Sequence, residues 1–188
     1  MKMKGNPVSL ILVMPVLAAF FIANGCKQQP CKFEAQVEMP LSISGDYSSV
    51  LVTRVVDGDT LALENGERVR LIGIDTPEVH ESKKLYRDSK RSSTDVTTIK
   101  KFGRKAWDFT RKLTENKRVN LEFDIEKRDK YNRLLAYVYL KDGTFVNAEI
   151  VKQGYASLLT IPPNVKYADL FRKLYEDARS KKIGLWGD

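Results

Sequence analysis

The sequence predicts an α+β protein in which five short β-strands close into a small barrel with about three helices packed on it. Three observations predict it: five short runs rich in β-branched residues, an Asn65-Gly66 tight turn between two of them, and three stretches with helical spacing of apolar residues.

Val50 to Val56, Thr60 to Glu64 and Glu67 to Ile74 read as a β-meander, with Asn65-Gly66 turning the last two strands. If that turn has two residues, facing positions sum to 131, so Asp59 lies opposite Ile72 and diagonal to Arg70. Diagonal neighbours are about 7 to 8 Å apart, which leaves room for a phosphate between a carboxylate-bound cation and a guanidinium. Asp75 breaks the parity of the third strand. Either Gly73 forms a bulge, or the chain has left the strand by Asp75, with Pro77 keeping Thr76 extended.

Ile99 to Glu115 places Phe102, Ala106, Phe109, Thr110 and Leu113 on one helical face. Val119 to Ile125 and Leu134 to Leu140 supply two more strands, and Asp142-Gly143 turns the chain into a short helix from Val146 to Gln153. A long basic helix follows from Asn164 to Lys182, closed by Gly184. Five strands interleaved with helices in this way correspond to the five-stranded barrel of an OB-fold.

The 188 residues are 43% apolar and 30% charged, the size and composition of one folded domain. Net charge is +8, which points to a polyanionic partner, either nucleic acid or an anionic membrane surface. Val79 to Lys105 alone carries nine Lys and Arg against Glu81, Asp88 and Asp95, a net +6. Two readings of that stretch stand: a solvated loop, or a surface that steers a phosphate chain.

Met1-Lys2-Met3-Lys4 followed by an apolar run from Val8 to Ala23 has the grammar of a signal peptide over residues 1–25. The run is shorter than the roughly 20 residues of a spanning helix, so cleavage is expected rather than a retained anchor. Removing Lys2 and Lys4 leaves +6, so export does not explain the basicity. Cys26, preceded by small residues, fits a bacterial lipobox that would place a lipid anchor on its side chain, although Ala23 replaces the usual Leu. A secreted form with a Cys26–Cys31 bridge is the alternative. Residues 26–47 read as a flexible tether and 48–188 as the folded domain, a monomer by default.

His80 is the only histidine and there are two cysteines, so histidine relays and zinc ribbons are disfavoured. Chemistry falls to carboxylates and arginines. Asp57, Asp59, Asp75 and Glu78 all lie at turns or strand ends, an oxygen-only set that favours Ca²⁺ or Mg²⁺.

In order along the chain, Val56-Asp57-Gly58-Asp59-Thr60, Arg70-Leu71-Ile72-Gly73-Ile74-Asp75-Thr76-Pro77-Glu78 and Asp129-Lys130-Tyr131-Asn132-Arg133 closely resemble the staphylococcal (micrococcal) nuclease, or thermonuclease, family. The resemblance runs from about Ser48 to Trp186. It implies an OB-fold, one Ca²⁺ ion, and endonucleolytic hydrolysis of DNA and RNA leaving 3′-phosphate ends. It also implies that Asp59, Asp75 and the Thr76 carbonyl hold the metal, with Glu78 reaching it through water. Glu78 would be the general base, and Arg70 and Arg133 the clamp on the phosphate as charge builds in the transition state. By the same matching, Asp57 orients groups around the ion, while Lys83, Lys84, Lys130 and Tyr131 contact substrate.

Three departures from the family pattern stand out. The stretch after Glu78 is a dozen or so residues longer than that pattern. Leu159-Thr160-Ile161-Pro162 stands where the family places base-stacking tyrosines, contacts usually worth about 1 to 3 kcal/mol per base. Tyr155 is the available substitute, and Asn132 stands in place of a Gly in a turn that Asn tolerates. Two further function classes are compatible with parts of the sequence: an OB-fold module that binds nucleic acid without cutting it, and a surface lipoprotein that binds a protein or lipid. Neither requires Arg70, Asp75, Glu78 and Arg133 together.

Overall fold

The computed structural model of the chain describes residues 47–187. The signal peptide, Cys26 and nearly all of the expected tether therefore lie outside the described residues. Among the described residues, no helix is long and apolar enough to cross a membrane.

Seven strands and four helices follow one another as β1 (Val50–Asp57), β2 (Thr60–Leu63), β3 (Arg68–Leu71), β4 (Gly73–Asp75), α1 (Lys83–Ser92), α2 (Val96–Thr114), β5 (Arg118–Glu122), β6 (Leu134–Leu140), α3 (Val146–Lys152), β7 (Ser157–Leu159) and α4 (Ala168–Ser180). A short 3₁₀ turn, Gly184–Trp186, closes the domain. Five strands form a closed barrel in the order β1-β2-β3-β6-β5, with β3 and β6 parallel and β1 meeting β5 to seal it. The expected OB-fold barrel is present, with four helices rather than about three.

The barrel closes because its strands alternate apolar residues that all face inward: Val52, Leu61, Val69, Val119, Leu121 and Val138 are fully buried. Each such side chain contributes roughly 1.5 to 3 kcal/mol of hydrophobic stabilisation.

The β2–β3 register departs from the sequence expectation by one residue. Thr60 faces Arg70 and Leu61 faces Val69, so paired positions sum to 130. The cause is the turn: Leu63 N–H donates to the Glu67 carbonyl at 2.9 Å, leaving a three-residue loop in which Gly66 takes a φ of 83°. Asp59, in the turn between β1 and β2, therefore faces Leu71, whose N–H donates to its carbonyl at 2.9 Å, and not Ile72 as the two-residue turn predicts.

Gly73 also has a positive φ, 83°, and there the chain leaves the barrel. Gly73 and the two residues after it, β4, pair with β7 in a separate two-stranded ribbon, with Asp75 opposite Ser157. A Cβ on Gly73 would lie 2.5 Å from the Phe171 ring, so α4 packs directly on this switch. Of the two alternatives for Asp75, the chain has left the third strand, which ends at Leu71, and the change of sheet at Gly73 frees Asp75 from its parity.

Helix α1 stands where the sequence allows a loop or a steering surface. Ser82 caps it by accepting a hydrogen bond from Leu85 N–H at 3.0 Å, and Leu85 is its one buried side chain. Tyr47, the last residue assigned to the tether, packs edge-on against Phe123 with ring centroids 5.2 Å apart.

Candidate active site

Two anchors fix the turn that carries Asp57 and Asp59. The Thr110 hydroxyl donates to the Gly58 carbonyl at 2.7 Å and the Trp107 indole N–H to the Val55 carbonyl at 2.9 Å, so α2 holds both ends of the turn. Asp59 is 2% exposed, and its Oδ2 accepts from the Thr76 backbone N–H at 2.9 Å and hydroxyl at 3.1 Å. Burial works against the charge on Asp59. The Arg70 guanidinium and the Thr76 amide outweigh it and hold the carboxyl below its ordinary range.

Arg70 gathers the carboxylates. One guanidinium nitrogen pairs with Asp59 Oδ1, and the other lies 2.7 Å from Asp75 Oδ1 and 3.3 Å from the Ile74 carbonyl. Lys84, entering from the first turn of α1, lies 3.0 Å from Asp75 Oδ1, 2.9 Å from Glu78 Oε1 and 3.1 Å from the Thr76 carbonyl oxygen. Glu78 also accepts from the Ser82 hydroxyl at 3.4 Å.

Asp57 has a buried Oδ1 with no hydrogen-bond partner. Its burial, together with the charges of Glu78 and Asp59, pushes its carboxyl up from 3.8 to about 6.

Arg133 reaches the same cleft by another route. Asp129 Oδ1 accepts from the backbone N–H of Tyr131 at 2.9 Å and of Arg133 at 3.0 Å, closing a tight turn in which Asn132 has a φ of 62°. Asp129 Oδ2 then takes Arg133 Nε at 2.8 Å and Nη2 at 2.7 Å, which aims the guanidinium. Tyr131 is 70% exposed, with the Lys130 ammonium 5.2 Å and the Arg133 guanidinium 5.6 Å from its ring centre.

A cleft of about 610 Å³ is lined by Arg70, Asp75, Glu78, Lys84, Lys130, Tyr131 and Arg133 together. Asp59 and Thr76 lie buried behind it. Lys83 is exposed and not part of the cleft lining, the one expected substrate contact placed elsewhere. Leu159 and Ile161 line the cleft where tyrosines were expected from the family pattern. Tyr155 does not substitute for them: it stacks on Phe109, ring centroids 4.8 Å apart, against the core. Asp129, Arg87 and Arg91 also belong to the cleft; in the sequence they had no role of their own, Asp129 standing only within a motif and the two arginines only within the basic stretch. Asp129 was legible as an Asp that begins a turn two residues before Tyr131.

Among the described residues, no group of three or more His, Cys, Asp or Glu side chains forms a ready cage for a metal ion. The donor chemistry nevertheless fits a hard cation. Carboxylate and carbonyl oxygens of Asp75, Glu78 and Thr76 already converge on one positive charge, the Lys84 ammonium, and the orphaned Asp57 oxygen adds a further acceptor nearby.

The model of the family described as "Staphylococcal nuclease homologue" matches residues 68–188. The chain belongs to the staphylococcal nuclease family. It is 40% identical over 141 residues to the thermonuclease of Staphylococcus intermedius, covering 73% of this chain and 76% of that protein. To the thermonuclease of Staphylococcus hyicus it is 32% identical over 140 residues, 73% of this chain and 75% of that one. The endonuclease YncB of Bacillus subtilis is 34% identical over 143 residues, 73% of this chain and 61% of that protein. The cleft residues named above come from β3, β4 and the chain just after it, which carries Glu78, from α1, from the turn before β6 and from the segment around Leu159 and Ile161.

Proposed function

We infer that this protein is an exported, Ca²⁺-dependent endonuclease that hydrolyses phosphodiester bonds of DNA and RNA as a monomer and leaves 3′-phosphate ends. The observation that carries the reading is the convergence of Arg70, Asp75, Glu78 and Arg133 on one cleft, with Asp59 beneath. The relatives named thermonuclease and endonuclease support it.

Asp59, Asp75 and the Thr76 carbonyl would hold the ion. When bound, it withdraws charge from the phosphate and makes phosphorus more open to attack. Glu78 lines the cleft, its carboxylate held by Lys84 and Ser82, and takes the proton from the attacking water as general base. A guanidinium has five N–H donors. Arg70 uses three hydrogen-bond contacts on Asp59, Asp75 and Ile74, and Arg133 uses two on Asp129, so both retain donors for the phosphate oxygens. Because these donors are fixed before substrate arrives, they favour the more highly charged transition state.

The purified chain is expected to degrade single-stranded DNA in Ca²⁺, to stop in chelator, and to lose at least about a hundredfold in kcat on Glu78→Gln with its circular dichroism unchanged. Undiminished cutting by Glu78→Gln removes Glu78 from the chemistry, and binding without any cutting favours a non-catalytic OB-fold module. Export and anchoring rest on the residues 1–25 signal and Cys26. Cells fed labelled palmitate should label the wild-type chain and not Cys26→Ser; a label on neither points to the released form.

A further inference from the structure

The cleft's positive charges divide into two sets. The inner ones are committed: Arg70 to Asp59 and Asp75, Lys84 to Asp75 and Glu78, and Arg133 to Asp129. The outer ones are not. Lys84, Arg87, Asp88 and Arg91 line the cleft from α1 at i, i+3, i+4 and i+7, which is one helical face. Lys84 stands at the carboxylates, and Arg87 and Arg91 follow about one and two turns further along the helix. Arg91 makes no hydrogen bond or ion pair among the described residues, and Arg87 has only its chain neighbour Asp88 at 3.7 Å, with its side chain 71% exposed.

We propose that Arg87 and Arg91 form a phosphate subsite for an extended polynucleotide strand, holding two consecutive phosphates beyond the one that is cut. This rests on the reading of the cleft as a nuclease site and names how much polymer that site grips. Four residues of helix advance about 6 Å along the axis, comparable to the step between successive phosphates of an unstacked strand. Phosphate contacts of this kind are indifferent to sequence, so they lengthen the footprint without adding base preference. Leu159 and Ile161 in the same cleft are aliphatic, so Tyr131 is the single aromatic ring of the lining on which a base could stack, which leaves more of the grip to the phosphates.

The test is binding of fluorescent thymidine oligonucleotides, two and twelve nucleotides long, to the mature chain in chelator, where nothing is cut. The variant is Arg87→Gln with Arg91→Gln, and the charge-matched control is Lys90→Gln with Lys101→Gln, both exposed and outside the cleft lining. The double arginine variant should bind the dodecamer about tenfold more weakly, and its log K against log salt slope should fall by about 1.4, two contacts at about 0.7 each on a single strand. The dinucleotide should bind as it does to wild type, and the control should match wild type on both. An unchanged dodecamer affinity and slope, an equal loss on the dinucleotide, an equal loss in the control, or a wild type that does not discriminate by length each overturns the proposal. Cleavage in Ca²⁺ is scored separately: a chain that shows the arginine effect and never cuts sinks the nuclease reading alone, and one that cuts without the effect sinks only this subsite.

Discussion

Asp57 carries an electrostatic load that the folded protein must tolerate: its Oδ1 is buried without a partner, and its carboxyl is raised from 3.8 to about 6. A raised folded-state value means that the neutral form is favoured by folding. Its contribution to stability is therefore complete below about pH 4 and is lost as pH rises through 6. Asp57→Asn, measured in chelator, should leave stability unchanged near pH 4 and raise it by on the order of 2 kcal/mol at pH 8, since each tenfold change in proton affinity corresponds to about 1.4 kcal/mol. Thermal unfolding at the two pH values checks this, and a gain at pH 4 as large as that at pH 8 would refute it. Asp59, two residues on, has the opposite character, with its charge favoured by Arg70 and Thr76. Neighbouring carboxylates of one turn are thus pushed apart by what each one touches.

At the scale of elements, α2 serves as the backing plate of the site. Its Gly103 sits against the chain before α1, and a Cβ there would lie 2.4 Å from the Glu78 carbonyl oxygen and 2.8 Å from that of Pro77. Gly103→Ala should push Glu78 out of place and lower kcat about tenfold or more while far-UV circular dichroism stays native; retained kcat would show that the backbone there adapts freely. The strands were legible because apolar residues recur at alternate positions, as in Leu61, Leu63, Val69 and Leu71, or in an unbroken apolar run, as in β6. Their register differs by one from the sequence expectation because Asn65-Gly66 closes a three-residue loop and not a two-residue turn. Helix α1 was illegible for a different reason: with Leu85 alone buried, it has no apolar stripe to detect. β7 is a three-residue strand with two exposed positions, and only its pairing with β4 defines it. The candidate residues stood out as turn residues and through their resemblance to the family's motifs, whereas the bonds from Thr110 and Trp107 of α2 that hold the Asp57–Asp59 segment span 52 positions and leave no local signal.

For the molecule as a whole, the barrel and its last helix are joined through a buried carboxylate. Glu122 on β5 is 6% exposed and accepts from the Tyr139 and Tyr167 hydroxyls, each at 3.0 Å, while pairing with the Lys166 ammonium. Burial and the adjacent carboxylate push the Tyr139 hydroxyl well above its ordinary value, so it stays protonated and donates at any working pH. Glu122→Leu strands two hydroxyls and an ammonium and should cost about 3 kcal/mol, seen as a Tm lower by roughly 10 °C. A Tm within about 2 °C of wild type would mean that repacking replaces the network. The same α4 closes over Gly73, where the strand leaves the barrel and takes Asp75 with it. By contrast α1, ten residues long, is held at its start, by the buried Leu85 and by Lys84 on Asp75, Glu78 and the Thr76 carbonyl. If Arg87 and Arg91 grip phosphates as proposed, the outer face of that helix can change its charge, and with it the length of strand held, without disturbing the barrel core, since α1 buries a single side chain.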